Sequence, residues 1–201
     1  MLFYVFKFYK RTSKIVYCKE GFIMNAMECI AARKSVREFD TRPVEKEKLE
    51  QIVRAALYAP TGMHLYDSLH LTVLATHEAV DRFTDLARKQ SGDAQADPAH
   101  GAGALIVVSG RRPDMPVEYA NAACMIENML LAATDLKLGS LYVHGATNAL
   151  RNSAQEEDFR KLLRLPAGFT PIVSVAVGYC AENFEPREEP KNNETKVDYI
   201  L

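Results

Sequence analysis

Between Val44 and Ala59 the apolar side chains Leu49, Ile52, Val53 and Ala56 return every three or four positions, which gathers them on one side of an α-helix, and Pro60 ends the run. Leu69, Leu71 and Val73 alternate with polar or small neighbours as a half-buried strand does. Helical spacing returns from His77 to Gln90 through Val80, Phe83 and Ala87, and Ser91 to Gly103 is a small, polar loop. The unbroken run Leu105-Ile106-Val107-Val108 predicts a buried strand over Ala104 to Gly110. The next segment, Tyr119 to Leu136, is apolar almost all round and predicts a helix in the middle of the domain. Gly139 stands where a left-handed helix stop is wanted, Leu141 to Val143 reads as a short strand, and Ser153 with Glu156 has the pattern that opens a capped helix through Phe159, Leu162 and Leu163. Thr170 to Gly178 supplies the last core strand. These elements predict an α+β layered domain, and periodicity alone leaves the strand order open.

The 201 residues suffice for one proper core and leave little for a second, so one domain is expected over residues 24–201. Residues 1–23 stand apart. They mix aromatics with lysines and contain no small-residue cleavage site, which makes a poor signal peptide. Met24 followed by Asn25 is a more natural beginning, because Asn25 can cap a helix whose third residue, Glu28, reaches back. The first 23 residues then read as an extension or a mis-called start, or else as an amphipathic segment lying on a membrane or partner surface. From Cys180 onward Pro, Glu, Asn and Lys dominate, so the tail cannot bury itself and is expected to run over the surface or a second subunit.

Hydrophobic residues at 48% and charged residues at 25% belong to an ordinary globular chain. The net charge of -1, with both signs interspersed, gives no general reason to expect nucleic acid as a partner. Four cysteines, Cys18, Cys29, Cys124 and Cys180, show neither metal-knuckle spacing nor disulfide density, which points to a reducing cytoplasm. Nothing after Ile23 approaches eighteen consecutive apolar residues, so no membrane span is expected.

Against this even charge the stretch Ala32-Arg33-Lys34-Ser35-Val36-Arg37-Glu38-Phe39 is a local exception: three cations and a hydroxyl within five positions, directly after a short helix. Guanidinium forks suit phosphate oxygens, and each charge-assisted hydrogen bond is worth about 1.5–3 kcal/mol. The same residues are equally well read as a solvated helix end, where the dipole favours cations.

The run Arg33-Lys34-Ser35-Val36-Arg37-Glu38-Phe39 resembles the Arg-x-Ser-x-Arg/Lys-x-Phe signature that opens nitroreductase-family proteins. Further stretches follow in the family's order. Ala59-Pro60-Thr61-Gly62-Met63-His64 resembles its Ala-Pro-Ser-x-x-Asn loop; Asn128 to Ala133 with Lys137-Leu138-Gly139-Ser140 resembles its central helix and turn; Val177-Gly178-Tyr179 with Pro186-Arg187 resembles its closing strand and tail. The resemblance implies a nitroreductase-like α+β fold, with an antiparallel or mixed central sheet flanked by helices, in an intertwined homodimer that binds FMN and is reduced by NADH or NADPH.

Position by position, the resemblance implies that Arg33 and Ser35 hold the FMN phosphate and ribityl side, with Arg187 from the tail on the same phosphate. Lys34 flanks the ring. Arg37 approaches the N1 and O2 edge, where negative charge collects on reduction; at about 4 Å and an effective dielectric of 20 a cation there is worth roughly 4 kcal/mol, near three pK units. Tyr142-Val143-His144-Gly145 falls where the family lays a strand end against the flavin and offers a backbone N–H to N5, with glycine permitting close approach. Pro60, Thr61, Gly62 and His64 belong to a loop that shapes the pocket, often across the dimer interface. Here the chain departs from the family: it reads His64-Leu65-Tyr66-Asp67 where Asn, then Gln-Pro-Trp, is common, and it has no tryptophan. Tyr66 either replaces that aromatic contact or caps the core.

The activity so implied is hydride transfer from a reduced nicotinamide to a nitroaromatic, quinone or enone by a ping-pong route, the cofactor carrying the chemistry. No nucleotide-binding Gly-x-Gly-x-x-Gly is needed for a transient nicotinamide. The altered loop keeps open a specialised relative, of reductive dehalogenase or flavin-fragmenting type; a non-catalytic flavin-binding protein is the alternative outside enzymes.

Overall fold

The computed structural model describes residues 25–181 and 195–200; residues 1–23 and Arg187 lie outside the described residues. The described chain opens on the expected capping box. Asn25 Oδ1 accepts from the Glu28 N–H and Glu28 Oε2 accepts from the Asn25 N–H, each at 3.0 Å, which satisfies two donors at the start of α1 (Ala26–Ala32). Helix α2 (Lys46–Leu57) buries Leu49, Ile52 and Ala56, three of the four residues its periodicity singled out. A single 3-10 turn, Gly62–His64, leads to β1 (Leu69–Leu74), then α3 (His77–Ser91), β2 (Ala104–Gly110) and α4 (Pro116–Asp135). The chain closes with β3 (Gly139–Val143), α5 (Gly145–Arg151), α6 (Glu156–Leu162) and β4 (Thr170–Gly178).

The four strands form one antiparallel sheet in the order β1-β2-β4-β3. Strands β2 and β4 occupy its centre, which is why both are apolar on both faces. In β2 the two-residue period deals Ile106 and Val108 to a core shared with α2 and α4, and Leu105 and Val107 to a core shared with Phe83, Leu150 and Phe159 of α3, α5 and α6. Each such side chain, fully buried, contributes about 1.5–3 kcal/mol. Among the described residues no helix is long and apolar enough to cross a membrane.

Two local expectations are corrected. Gly139 is not the left-handed residue that stops α4. Lys137 is, at φ 61, because the Lys137 N–H donates to Thr134 O at 3.0 Å and the Leu138 N–H to Ala133 O at 2.8 Å, a closure that fixes the residue after the helix end in that region. Gly139 starts β3, where a Cβ would meet Cys180 Sγ at 2.8 Å and Val36 Cγ2 at 3.0 Å, so it serves close packing. Ser153 does not cap α6: its hydroxyl donates to Leu150 O at 2.9 Å and accepts from the Gln155 N–H at 3.1 Å, closing the preceding turn. Helix α5 itself has too short an apolar repeat to register as a pattern.

Helix α4 lies in the middle as expected, yet it carries a carboxylate there. Glu118 is fully buried and accepts from Ser68 Oγ at 2.9 Å and from the Arg112 N–H at 3.0 Å. It thereby ties the loop after β2 and the loop before β1 to the first turn of α4.

Candidate functional site

Helix α1 ends at Arg33, whose backbone leaves the helical region at ψ 126. From there the chain is extended and laced to the sheet. The Val36 N–H donates to Ser140 O at 3.0 Å, Ser35 bridges Ser140 in parallel, Phe39 bridges Cys180, and the Ala181 N–H donates to Glu38 O at 3.0 Å. Alternation along this segment buries Val36 and turns Ser35 and Arg37 outward. Arg33 and Lys34 are half-buried beside them. Among the described residues the guanidinium groups of Arg33 and Arg37 have no hydrogen-bond or ion-pair partner. A fixed, outward row of cations and one hydroxyl is a surface that takes an anion.

Beyond the row, the chain is anchored by a cluster around Tyr179 that no local pattern marks. Tyr179, just past β4, donates its hydroxyl to the Glu45 carboxylate at 2.7 and 2.8 Å and accepts from Lys48 Nζ at 2.6 Å. The Arg42 guanidinium lies 4.0 Å from the centre of the Tyr179 ring and pairs with Asp40 at 2.7 Å, and the Asp40 N–H donates to Tyr179 O at 2.9 Å. The Tyr179 hydroxyl holds the Glu45 carboxyl below the usual carboxylate range, and the Arg42 side chain does the same for Asp40. These contacts link positions more than a hundred residues apart, so no local pattern announces them.

The second group sits on the same strand. Tyr142 and His144 are exposed, their rings stacked at 6.2 Å with 9° between planes, while Val143 between them is buried. Burial pushes the Tyr142 hydroxyl up, with Tyr119 of α4 adding to it. His144 follows β3 directly and Gly145 begins α5; the backbone there is open, since a Cβ on Gly145 would meet nothing within 4 Å. From Ser140 to His144 the strand runs about 13 Å at 3.3 Å per residue. The basic row and the open backbone are therefore two ends of one continuous edge.

The third group is held elsewhere. The Gly62 N–H donates to Asn121 Oδ1 at 2.8 Å, and a Cβ on Gly62 would reach Val117 Cγ2 at 2.8 Å, so the loop Pro60–His64 rests on the first half of α4. Thr61 is buried and its hydroxyl has no partner among the described residues. Pro60, Gly62 and His64 are exposed, and Met63 and His64 both hold left-handed backbones, at φ 59 and 55. Strain of that kind is about 1–3 kcal/mol per residue and gathers where a loop meets a ligand. Tyr66 is 65% exposed, so it does not cap the core; its ring lies 6.2 Å from that of His64. The basic segment, in contrast, belongs to the far end of α4, where Cys29 of α1 feels Asp135 and Lys137. Asn121 and Asp135 are separated by roughly 21 Å at 1.5 Å per residue of helix.

Comparison with known proteins gives a consistent result. The family model described as "Nitroreductase family" matches residues 30–179. An NADPH-flavin oxidoreductase of Vibrio harveyi is 25% identical over 173 residues, covering 80% of this chain and 68% of that protein. An oxygen-insensitive NADPH nitroreductase of Salmonella typhimurium is 26% identical over 165 residues, covering 78% of this chain and 66% of that protein. Among solved structures, a nitroreductase with bound FMN from Desulfitobacterium hafniense superposes with a TM-score of 0.74 at 23% identity, over 87% of this chain and 100% of that one. A nitroreductase with bound FMN from Bacteroides fragilis gives a TM-score of 0.74 at 24% identity, with the same coverage. These two likenesses speak to the fold.

Proposed function

The chain belongs to the nitroreductase family, and from that membership we propose that it is an FMN-dependent oxidoreductase, taking hydride from NADH or NADPH and passing it to a nitroaromatic, quinone or enone in ping-pong sequence. The observation that carries the reading is the single edge just described, with outward cations pinned at the start of β3 and an open backbone at its end. An elongated ligand with an anionic tail and a flat ring fits such an edge. Relatives named for NADPH and flavin support the choice of reductant and cofactor.

FMN, when bound, supplies the two-electron chemistry. The residues divide the remaining work. Arg33 and Ser35 hold the phosphate and ribityl side, joined by Arg187 from the tail that leaves the sheet beside Glu38. Lys34 flanks the ring. Arg37 stands at the edge that becomes negative on reduction, where about 4 kcal/mol of attraction keeps that charge at neutral pH. Tyr142, Val143, His144 and Gly145 line the other end, the backbone offering an N–H and the glycine leaving room for the ring.

Pro60, Thr61, Gly62 and His64, held on the first half of α4, shape the pocket over the ring, reaching the cofactor of a second copy across the dimer interface. Exposed Met27, Ile30, Leu57, Tyr58 and Met63 give a homodimer the apolar surface it needs. The stretch His64-Leu65-Tyr66-Asp67, in place of the common Asn and Gln-Pro-Trp, favours a specialised relative of reductive dehalogenase or flavin-fragmenting type as a second reading. An absorbance spectrum of the purified protein before and after anaerobic NADPH, then NADH, tests the proposal: a flavin band that bleaches is expected, and a colourless protein that ignores added FMN overturns it.

A further inference from the structure

The Val143 carbonyl is held by two buried hydroxyls from different parts of the chain. Thr147 Oγ1 on α5 lies 3.0 Å from it and Ser174 Oγ on β4 lies 3.1 Å from it, with 2.6 Å between the two hydroxyls. Thr147 and Ser174 are completely buried. A threonine bonded four residues back is common in helices. A second hydroxyl, brought by another strand to the same oxygen, is not part of that habit.

Two hydroxyl hydrogens serve three contacts. One therefore always goes to the Val143 oxygen, while the other either joins it there or bridges the two hydroxyls. The consequence lies on the other side of the peptide. The described chain has no cis peptide bonds, so the His144 N–H points opposite to the Val143 C=O. The β3–β4 ladder, in which Val143 pairs with Ser174, and the two hydroxyls together direct the oxygen inward, so the N–H is directed outward, at the edge where Gly145 leaves open space.

We propose that Thr147 and Ser174 are positioning residues that orient the Val143–His144 peptide so that the His144 N–H donates to N5 of the flavin. The proposal rests on the FMN reading above. The bond favours oxidised flavin, whose N5 is an acceptor, over reduced flavin, whose N5 carries a hydrogen. Because either hydroxyl can reach the carbonyl alone, the pair is redundant, and redundancy has a signature that mere packing lacks.

The test uses FMN-loaded protein and reads the midpoint potential and visible spectrum of the bound flavin. Thr147→Val and Ser174→Ala alone should each change the ratio of oxidised to reduced FMN affinity less than about twofold. The double variant should change it about tenfold toward the reduced form, a rise near 30 mV for a two-electron couple. Thr147→Ser in the Ser174→Ala background should restore the wild-type value. Equal, additive effects of the singles, or a folded, yellow double variant with an unchanged potential, overturn the proposal. If the double variant does not fold, wild-type protein labelled at histidine nitrogen answers instead: the His144 amide should shift on FMN binding and again on reduction, and an amide that stays in place overturns it. A colourless wild type sinks the flavin reading and this role together, whereas a yellow wild type with an indifferent double variant sinks this role alone.

Discussion

Gly145→Leu separates what the fold needs at that position from what a ligand needs. Gly145 is the first residue of α5, its φ is not among the positive values, and an added Cβ would meet nothing within 4 Å. The fold therefore has no use for a glycine there. Leucine removes glycine's excess chain entropy and restores helix propensity, a gain of up to about 0.5–1 kcal/mol, which in a chain of this size raises the melting temperature of the FMN-free protein by roughly 1–4 °C. The same side chain stands over the backbone proposed to face the flavin ring, so FMN affinity should fall at least about tenfold, or 1.4 kcal/mol. The assay is a thermal melt of the FMN-free protein beside an FMN titration followed by quenching of flavin fluorescence. A variant that melts as high as wild type and binds FMN equally well refutes the placement of the ring at Gly145. One that melts several degrees lower shows that the glycine is structural after all.

Other consequences can be measured directly. Charge reversal at Arg33 or Arg37 should weaken FMN retention by about 10- to 100-fold, the worth of one charge-assisted bond, and leave the melt of the FMN-free protein within about 0.5 kcal/mol of wild type; a purified variant as yellow as wild type contradicts the assignment. Glu118→Ala strands the Ser68 hydroxyl and the Arg112 N–H at the head of α4, and should lower unfolding stability by about 1–3 kcal/mol or more in a urea titration with unchanged slope. The Glu45 carboxyl is held low by Tyr179, so its contribution is complete above the unfolded value and is lost as pH falls through the folded one. The stability gap between wild type and Tyr179→Phe should accordingly shrink below pH of about 4, and a gap that widens in acid reverses the sign. Sizing at falling concentration should show a dimer, and a Met63→Glu variant should shift it toward monomer.

Short-range pattern determined much of this protein. The Asn25–Glu28 cap, the buried stripe of α2, the alternation of β1 and the greasy runs of β2 and β4 depend on neighbours a few positions away, which is where periodicity and capping act. The basic run from Arg33 to Arg37 was legible for the same reason, as was its likeness to a family signature. Only the tertiary structure decided that Ser35 lies against Ser140, that Tyr179 locks Glu45 and Lys48, and that Asn121 holds Gly62 far from the basic segment. It also moved the left-handed turn from Gly139 to Lys137 and brought Ser174 to the Val143 carbonyl. Such pairings join residues tens to more than a hundred positions apart, and their energy depends on where the sheet sets each backbone, which no local window of side chains contains.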